Sequence, residues 1–228
     1  MNENILLVGT KRSGHHAILR WVAEQMDETV IHHNDVDPKK LLNGEIVYFG
    51  GIKKTIYNGN KSVRTIYSFE DAKMEDIEEI EKQLSSTTII VIRDIKNTLA
   101  SLIKSTPQKH IVKRLKTSTE AWYQYAYDYI CGKFSNRIHI LYDLWFKNEC
   151  YRHLLCSVLN IKFTDAGLNI VSKNANGSSF DHMKYQGNAQ GMDVLNRWKA
   201  YNNNRYFKEF YTDQLKELNS IVFKNDRS

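Results

Sequence analysis

The stretch Ile5-Leu6-Leu7-Val8-Gly9-Thr10-Lys11-Arg12-Ser13-Gly14-His15-His16 constrains the fold more than any other part of the chain. Four apolar residues closed by Gly9 predict a strand buried on both faces, and such strands belong to parallel sheets covered by helices. Ile18, Trp21, Val22 and Met26 then recur at helical spacing, so a helix begins near Gly14. Strand, glycine-bracketed turn and helix together make a cradle for an anion. The glycines let the backbone bend tightly and approach closely, and the N–H groups of the first helical turn point at the bound group. A turn with no ligand carries the same local signature.

Gly9 and Gly14 bracket four residues, as in the Walker pattern G-x-x-x-x-G-K-[ST]. That pattern continues with a Lys for the terminal phosphates and a Ser or Thr for magnesium. Here His15 and His16 follow instead, and the cations Lys11 and Arg12 stand inside the loop. A cradle without the magnesium hydroxyl points to transfer from a nucleotide without a metal. It argues against the main alternative, a magnesium-dependent P-loop kinase for a nucleotide or small molecule.

With 228 residues, 42% of them hydrophobic, the chain suits one α/β domain spanning 1–228 with a substantial core. Cys131, Cys150 and Cys156 follow no disulfide or zinc spacing and read as free thiols in a reducing cytoplasm. The polar opening residues and short apolar run at 5–8 lack a signal-peptide pattern, and no long apolar segment predicts a membrane span. A cytoplasmic location follows as the expectation. The formal charge of +6 permits nucleic acid, an anionic cofactor or an acidic glycan as ligand. An RNA-binding module is the second alternative; scattered cations and no nucleic-acid signature argue against it, so no nucleic-acid partner is expected. The oligomeric state stays open.

In chain order, Thr29–His32 predicts a second strand, ending in His32-His33-Asn34-Asp35. Ligands in open α/β sheets lie beyond the strands' carboxyl ends, which makes these residues candidates. Residues 36–69 read as irregular, with strand-like pieces at Ile46–Phe49 and Val63–Tyr67 and the cations Lys53 and Lys54. They form either a substrate wall or a β-excursion. Glu70–Leu84 predicts an acidic amphipathic helix whose carboxylates face solvent. Thr88–Ile92 predicts a central strand, with Arg93 at its carboxyl end, Asp94 as N-cap and Ser101 on the helix from Ile95 to about Lys104. Taken alone, Arg93 reads as a partner for Asp94 or another carboxylate. Taken with the first loop, two anion sites on one sheet edge would grip a ligand with two separated phosphate-like groups.

Farther on, Thr106–Arg114 reads as a basic linker; Lys109, Lys113, Arg114 and Lys116 would draw an acidic substrate or simply face solvent. Trp122, Tyr125, Ala126, Tyr129 and Ile130 form a core-facing stripe on a long helix. Ser172–Gly191 reads as a long loop, a candidate lid over a ligand at about 172–191, with Lys173, Ser178, Ser179 and Lys184 as its contacts. A helix starting at Val194 and carrying Arg197, then further helices, complete the chain.

Lys11–His16 together with Arg93-Asp94 and Ser101 resembles the sulfotransferases that use 3′-phosphoadenosine 5′-phosphosulfate (PAPS). Ile138-His139-Ile140-Leu141-Tyr142-Asp143-Leu144 is similar to that family's strand ending in Tyr-Glu-Asp-Leu. The resemblance covers most of residues 5–160. It implies a P-loop-like fold, with a central, mainly parallel sheet flanked by helices. It implies that Lys11, Arg12, Ser13, Gly14, His15 and His16 hold the 5′-phosphosulfate, and that Arg93 and Ser101 hold the 3′-phosphate. The chain departs from the family where the loop's usual Lys is Arg12 and its usual Thr residues are His15 and His16. The implied reaction is in-line sulfuryl transfer without a metal, leaving 3′-phosphoadenosine 5′-phosphate (PAP). Arg12, with Lys11, would stabilise the bridging oxygen, and His15 and His16 would donate to the sulfuryl group. The acceptor would be a hydroxyl, or an amine, on a small molecule or glycan. Its proton would go to His33, or failing that to His32, His16 or Asp35, since a histidine near neutral pKa suits the task.

Overall fold

The computed structural model describes residues 4–49, 53–132, 137–171 and 177–224. Strand β1 (Asn4–Gly9) lies at the centre of a six-stranded sheet of order β3-β2-β4-β1-β5-β6. Its neighbours are β4 (Val63–Glu70) and β5 (Ser86–Ile92), both parallel to it. Strands β2 (Thr29–His33) and β6 (Arg137–Leu141) extend the parallel set on either side. Only β3 (Lys54–Tyr57), at the edge, runs antiparallel.

Because side chains alternate across a strand, the two faces of β1 feed separate cores. Leu6 and Val8 pack with Ile90 and Ile92 of β5 beneath α3 (Met74–Gln83), α4 (Ile95–Ser105) and α5 (Ile111–Cys131). Ile5 and Leu7 pack with Ile89 and Val91 beneath α1 (His15–Glu24), α6 (Tyr142–Lys147) and α7 (Glu149–Leu159). Two short C-terminal helices, α8 (Arg205–Phe210) and α9 (Asp213–Val222), close the first core through Phe207, Leu215 and Val222. Among the described residues no helix is long and apolar enough to cross a membrane. All three cysteines are unpaired.

Several sequence expectations change. Val63–Glu70 is neither wall nor excursion but a strand inside the sheet, between β2 and β1. The expected helix from Glu70 therefore starts only at Met74, and Glu70 ends β4. Ile46–Phe49 makes one bridge, Val36 to Tyr48, beside the short helix α2 (Pro38–Leu42). The linker at 106–114 is already helical from Ile111. The core stripe of α5 holds through Trp122, Tyr125 and Ala126, whereas Tyr129 and Ile130 are exposed. From Val194 on, the chain makes only a 3-10 turn over Arg197–Tyr201 before α8.

Candidate functional site

The carboxyl ends of the five parallel strands meet one cavity of about 480 Å³. Loop residues Lys11, Arg12 and Gly14 follow β1, Asn34 and Asp35 follow β2, and Glu70 ends β4; Arg93 follows β5 and Tyr142 follows β6. Helix α4 adds Ser101 and Ser105. Tyr142, Trp145 and Phe146 give one wall an aromatic lining.

The loop after β1 closes tightly. Ser13 N–H donates to the Thr10 carbonyl at 3.0 Å, and Gly14, at φ 84°, starts α1. The first N–H groups of a helix find no helical carbonyl, and here they belong to residues lining the cavity, Gly14, His15 and His16. A Cβ on Gly14 would stand 2.3 Å from the Tyr142 ring, so both φ and space demand glycine there.

Arg93 is 3% exposed. Its guanidinium donates to the Arg12 carbonyl at 3.0 Å and the Val194 carbonyl at 2.6 Å, approaches Ser101 Oγ at 3.5 Å and lies over the Tyr142 ring. Its Nε is buried without a partner. Asp94 is not its partner: that carboxylate caps α4 through Lys96 N–H at 2.7 Å. Arg197 also lines the cavity, where its guanidinium reaches Ser178 Oγ at 2.7 Å and Asp181 at 2.8 Å. Burial, then the neighbouring Arg93 charge, pushes the Arg197 pKa down. Arg12 donates from Nε to Ser105 Oγ at 3.0 Å. Among the described residues no carboxylate forms an ion pair with Arg12 or Arg93, so this side of the cavity presents two guanidinium groups without a direct carboxylate partner.

The opposite side is acidic and organised by Lys11. Its ammonium bridges Glu70 at 2.8 Å and Asp35 at 3.2 Å, while its backbone N–H donates to Asp71 at 2.9 Å. Burial works upward on the Glu70 carboxyl, and His15, Lys11 and His16 outweigh it, bringing it down to about 2. Burial, reinforced by Glu70, raises the Asp35 carboxyl. Asp35 Oδ1 is buried with no partner, and Asp35 lines the cavity. His15 is fully enclosed; burial lowers its pKa to about 3, so it is neutral near pH 7.

No protein-family model matches the chain, and no curated protein matches its sequence significantly. Among solved structures, mouse sulfotransferase SULT7A1 complexed with PAP aligns over 99% of this chain and 86% of its own, with a TM-score of 0.54 at 16% identity. The chain has the sulfotransferase fold.

In this sulfotransferase fold Lys11, Arg12, Gly14, His15, His16, Arg93 and Ser101 come together on one cavity. Ser13 does not line it; it is buried behind the loop, its Oγ 3.3 Å from His15 Nδ1. Lys11 is no free cation, being committed to two carboxylates. His33, the expected base, is not brought to the cavity. It stands on β2, stacked against Tyr48 and Tyr67 and bonded to the Tyr48 hydroxyl at 2.7 Å. His32, on the other face of the strand, is buried against Ser68 Oγ at 2.9 Å. The chain reaches the cavity only with the next two residues, Asn34 and Asp35. Of the lid candidates, Ser178 and Ser179 line the cavity, Lys184 lies over Tyr185, and Lys173 is outside the described residues. Glu70, Asp71, Tyr142 and Arg197 were not singled out as site residues in the sequence, where Tyr142 stood only within the 138–144 motif and Arg197 only on an expected helix. The first three share a signal, since each stands at or just past the end of a parallel strand; recognising Val63–Glu70 as one would have exposed the two carboxylates.

Proposed function

We propose that the protein is a PAPS-dependent sulfotransferase acting on a hydroxyl or amine acceptor. The observation that carries this reading is the pairing of Arg93 with Ser101 next to the Arg12 carbonyl, a buried guanidinium without a carboxylate, on a cavity that also holds the helix-start loop. A buried charge with no counter-ion is costly unless a ligand supplies one. PAPS supplies two: a 3′-phosphate for Arg93, Ser101 and Arg197, and a 5′-phosphosulfate for the Arg12–His16 loop. The aromatic wall of Tyr142, Trp145 and Phe146 suits the adenine. The fold shared with a structure complexed with PAP supports the assignment.

Sulfuryl transfer is in-line displacement governed by positioning and electrostatics. The unpaired Arg12 guanidinium stabilises charge growing on the bridging oxygen as the S–O bond breaks. His16 orients the sulfuryl group. Asp35 takes the acceptor's proton: it replaces His33 in that role because Asp35 lines the cavity, its Oδ1 has no hydrogen-bond partner and burial raises its basicity. Residues 177–191 act as a strap over the nucleotide, tied down by Arg197. The fixed cations do the work that magnesium does for a phosphoryl group, so turnover needs no added metal. The acceptor is a small molecule or glycan, and the protein works in the cytoplasm.

Calorimetry with PAP and ADP tests the reading. PAP should bind without metal and more tightly than ADP, which lacks the 3′-phosphate. Arg93→Ala should cost PAP about 2–5 kcal/mol of binding energy and leave ADP nearly unchanged. Equal losses for both nucleotides, or binding only of ATP with magnesium, would refute it.

A further inference from the structure

His15, His16 and Glu70 each place one ligand atom within 4.8 Å of the other two. His15 Nε2 is buried, has no hydrogen-bond partner and faces Glu70 Oε1 at 3.4 Å. Ligands held about 2.0–2.2 Å from a tetrahedral zinc ion stand about 3.3 Å apart, so the His15–Glu70 gap is already the edge of such a site. The outer contacts agree. Ser13 Oγ sits at His15 Nδ1, leaving Nε2 as the inward atom. His16 Nε2 meets Asn34 Oδ1 at 2.6 Å, and that oxygen also accepts from Ser68 Oγ at 3.3 Å. Nε2 of His16 therefore donates, and the neutral tautomer that fits this bond has its lone pair on Nδ1. Outer partners of this kind fix the tautomer of metal-binding histidines. Two imidazoles and one carboxylate, with the cavity as the open fourth position, form a zinc-type donor set.

One cation already sits at this carboxylate. Lys11 Nζ contacts Glu70 at 2.8 Å, and its second carboxylate, Asp35, is 3.2 Å away. We propose that His15, His16 and Glu70 bind one transition-metal ion of the zinc class, in competition with the Lys11 ammonium for Glu70. Binding displaces Lys11, still protonated, toward Asp35, and both histidines bind through a neutral ring nitrogen. An ion seated there occupies His16 and loads Asp35 with the displaced Lys11, so it opposes the proposed turnover. The coordination argument itself rests on donor geometry and not on the nucleotide reading.

The test is titration of Zn²⁺ into the full chain carrying Cys131→Ser and Cys150→Ser, which removes the two exposed thiols as stray ligands. Calorimetry should give one ion per chain, and Co²⁺ should develop the visible d–d absorption of a low-coordinate site. Glu70→Gln and His15→Gln should weaken binding by at least about tenfold. Lys11→Ala should tighten it by at least about tenfold, because a competing like charge has gone. His153→Ala, at the exposed Glu149–His153 pair, should change nothing. Circular dichroism reports whether each variant is folded; if His15→Gln is not, Glu70→Gln and Lys11→Ala decide. Absence of binding, or binding indifferent to Glu70→Gln and Lys11→Ala, overturns the proposal, as does loss in His153→Ala. PAP titrated into the same samples reads the nucleotide site separately, so either reading can fail alone.

Discussion

Arg12 holds a backbone conformation that arginine adopts at a cost, φ 68°, and Asp35 and Asp71 share it at 49° and 57°. For a residue with a Cβ the left-handed region costs about 1–2 kcal/mol. It persists here because neighbours hold it: Arg93 grips the Arg12 carbonyl, and Asp71 grips the Lys11 N–H. The strain and the charge at position 12 are separable. Arg12→Gly should be more stable than Arg12→Ala by about 1 kcal/mol in chemical denaturation, yet both should lose turnover while still binding PAP, which lacks the sulfuryl group. Asp35→Asn should lower kcat by about 10²–10⁴ with PAP affinity unchanged; near wild-type turnover would send the search for a base to Glu70. The cations of the loop and Arg93 were legible in the sequence, because residue type and distance from a strand end identify them. The base was not. Whether His33 or Asp35 faces the cavity depends on where β2 ends and on Ser68, 35 and 33 residues away, which hold that turn.

At the scale of elements, the start of α1 and the start of α6 are one joint. The Tyr142 ring fills the space that any side chain at Gly14 would need. Gly14→Ala adds left-handed strain of about 1–2 kcal/mol and overpacking of about 1–3 kcal/mol, so it should destabilise by about 2–5 kcal/mol and abolish PAP binding; a melt within a degree of wild type would show that the joint is loose. A second joint ties α5, β6 and α3. Arg137 bonds Asp128 at 2.7 Å and Glu81 at 2.6 Å, and His139 bonds Asp128 at 2.9 Å. Burial raises the Asp128 carboxyl, but His139 and Arg137 outweigh it and leave the pKa lowered. The folded state thus holds this proton less tightly than the unfolded chain. Its stabilisation is complete above the unfolded value near 3.8 and fades as pH falls through the folded one. The stability gap between wild type and Asp128→Asn should accordingly shrink as the pH falls below about 4; a gap that widened there would reverse the sign of the coupling. Helices α1 and α5 were readable from apolar spacing, and α4 from its N-cap Asp94. Strand β4 was readable only as a strand-like piece at Val63–Tyr67, because Arg64, Thr65 and Ser68 break its apolar run; its extent to Glu70 and its place between two other strands were not.

On the scale of the molecule, the parallel, helix-covered sheet was legible from two runs, 5–8 and 88–92, since only strands buried on both faces are so uniformly apolar. The order of the strands was not, because it depends on β4 and β5 enclosing β1 from opposite sides. That order has a consequence for synthesis. As the chain leaves the ribosome, β1 appears first, but the residues that shape its loop come late. Asp71 follows Lys11 by 60 residues, Arg93 follows Arg12 by 81, and the Val194 carbonyl that anchors Arg93 comes 101 residues after that. A nascent chain stalled before Val194 holds a nearly complete sheet and no finished cradle. Under the proposed function, nucleotide protects the completed protein from unfolding but cannot act as a template while the chain is being made.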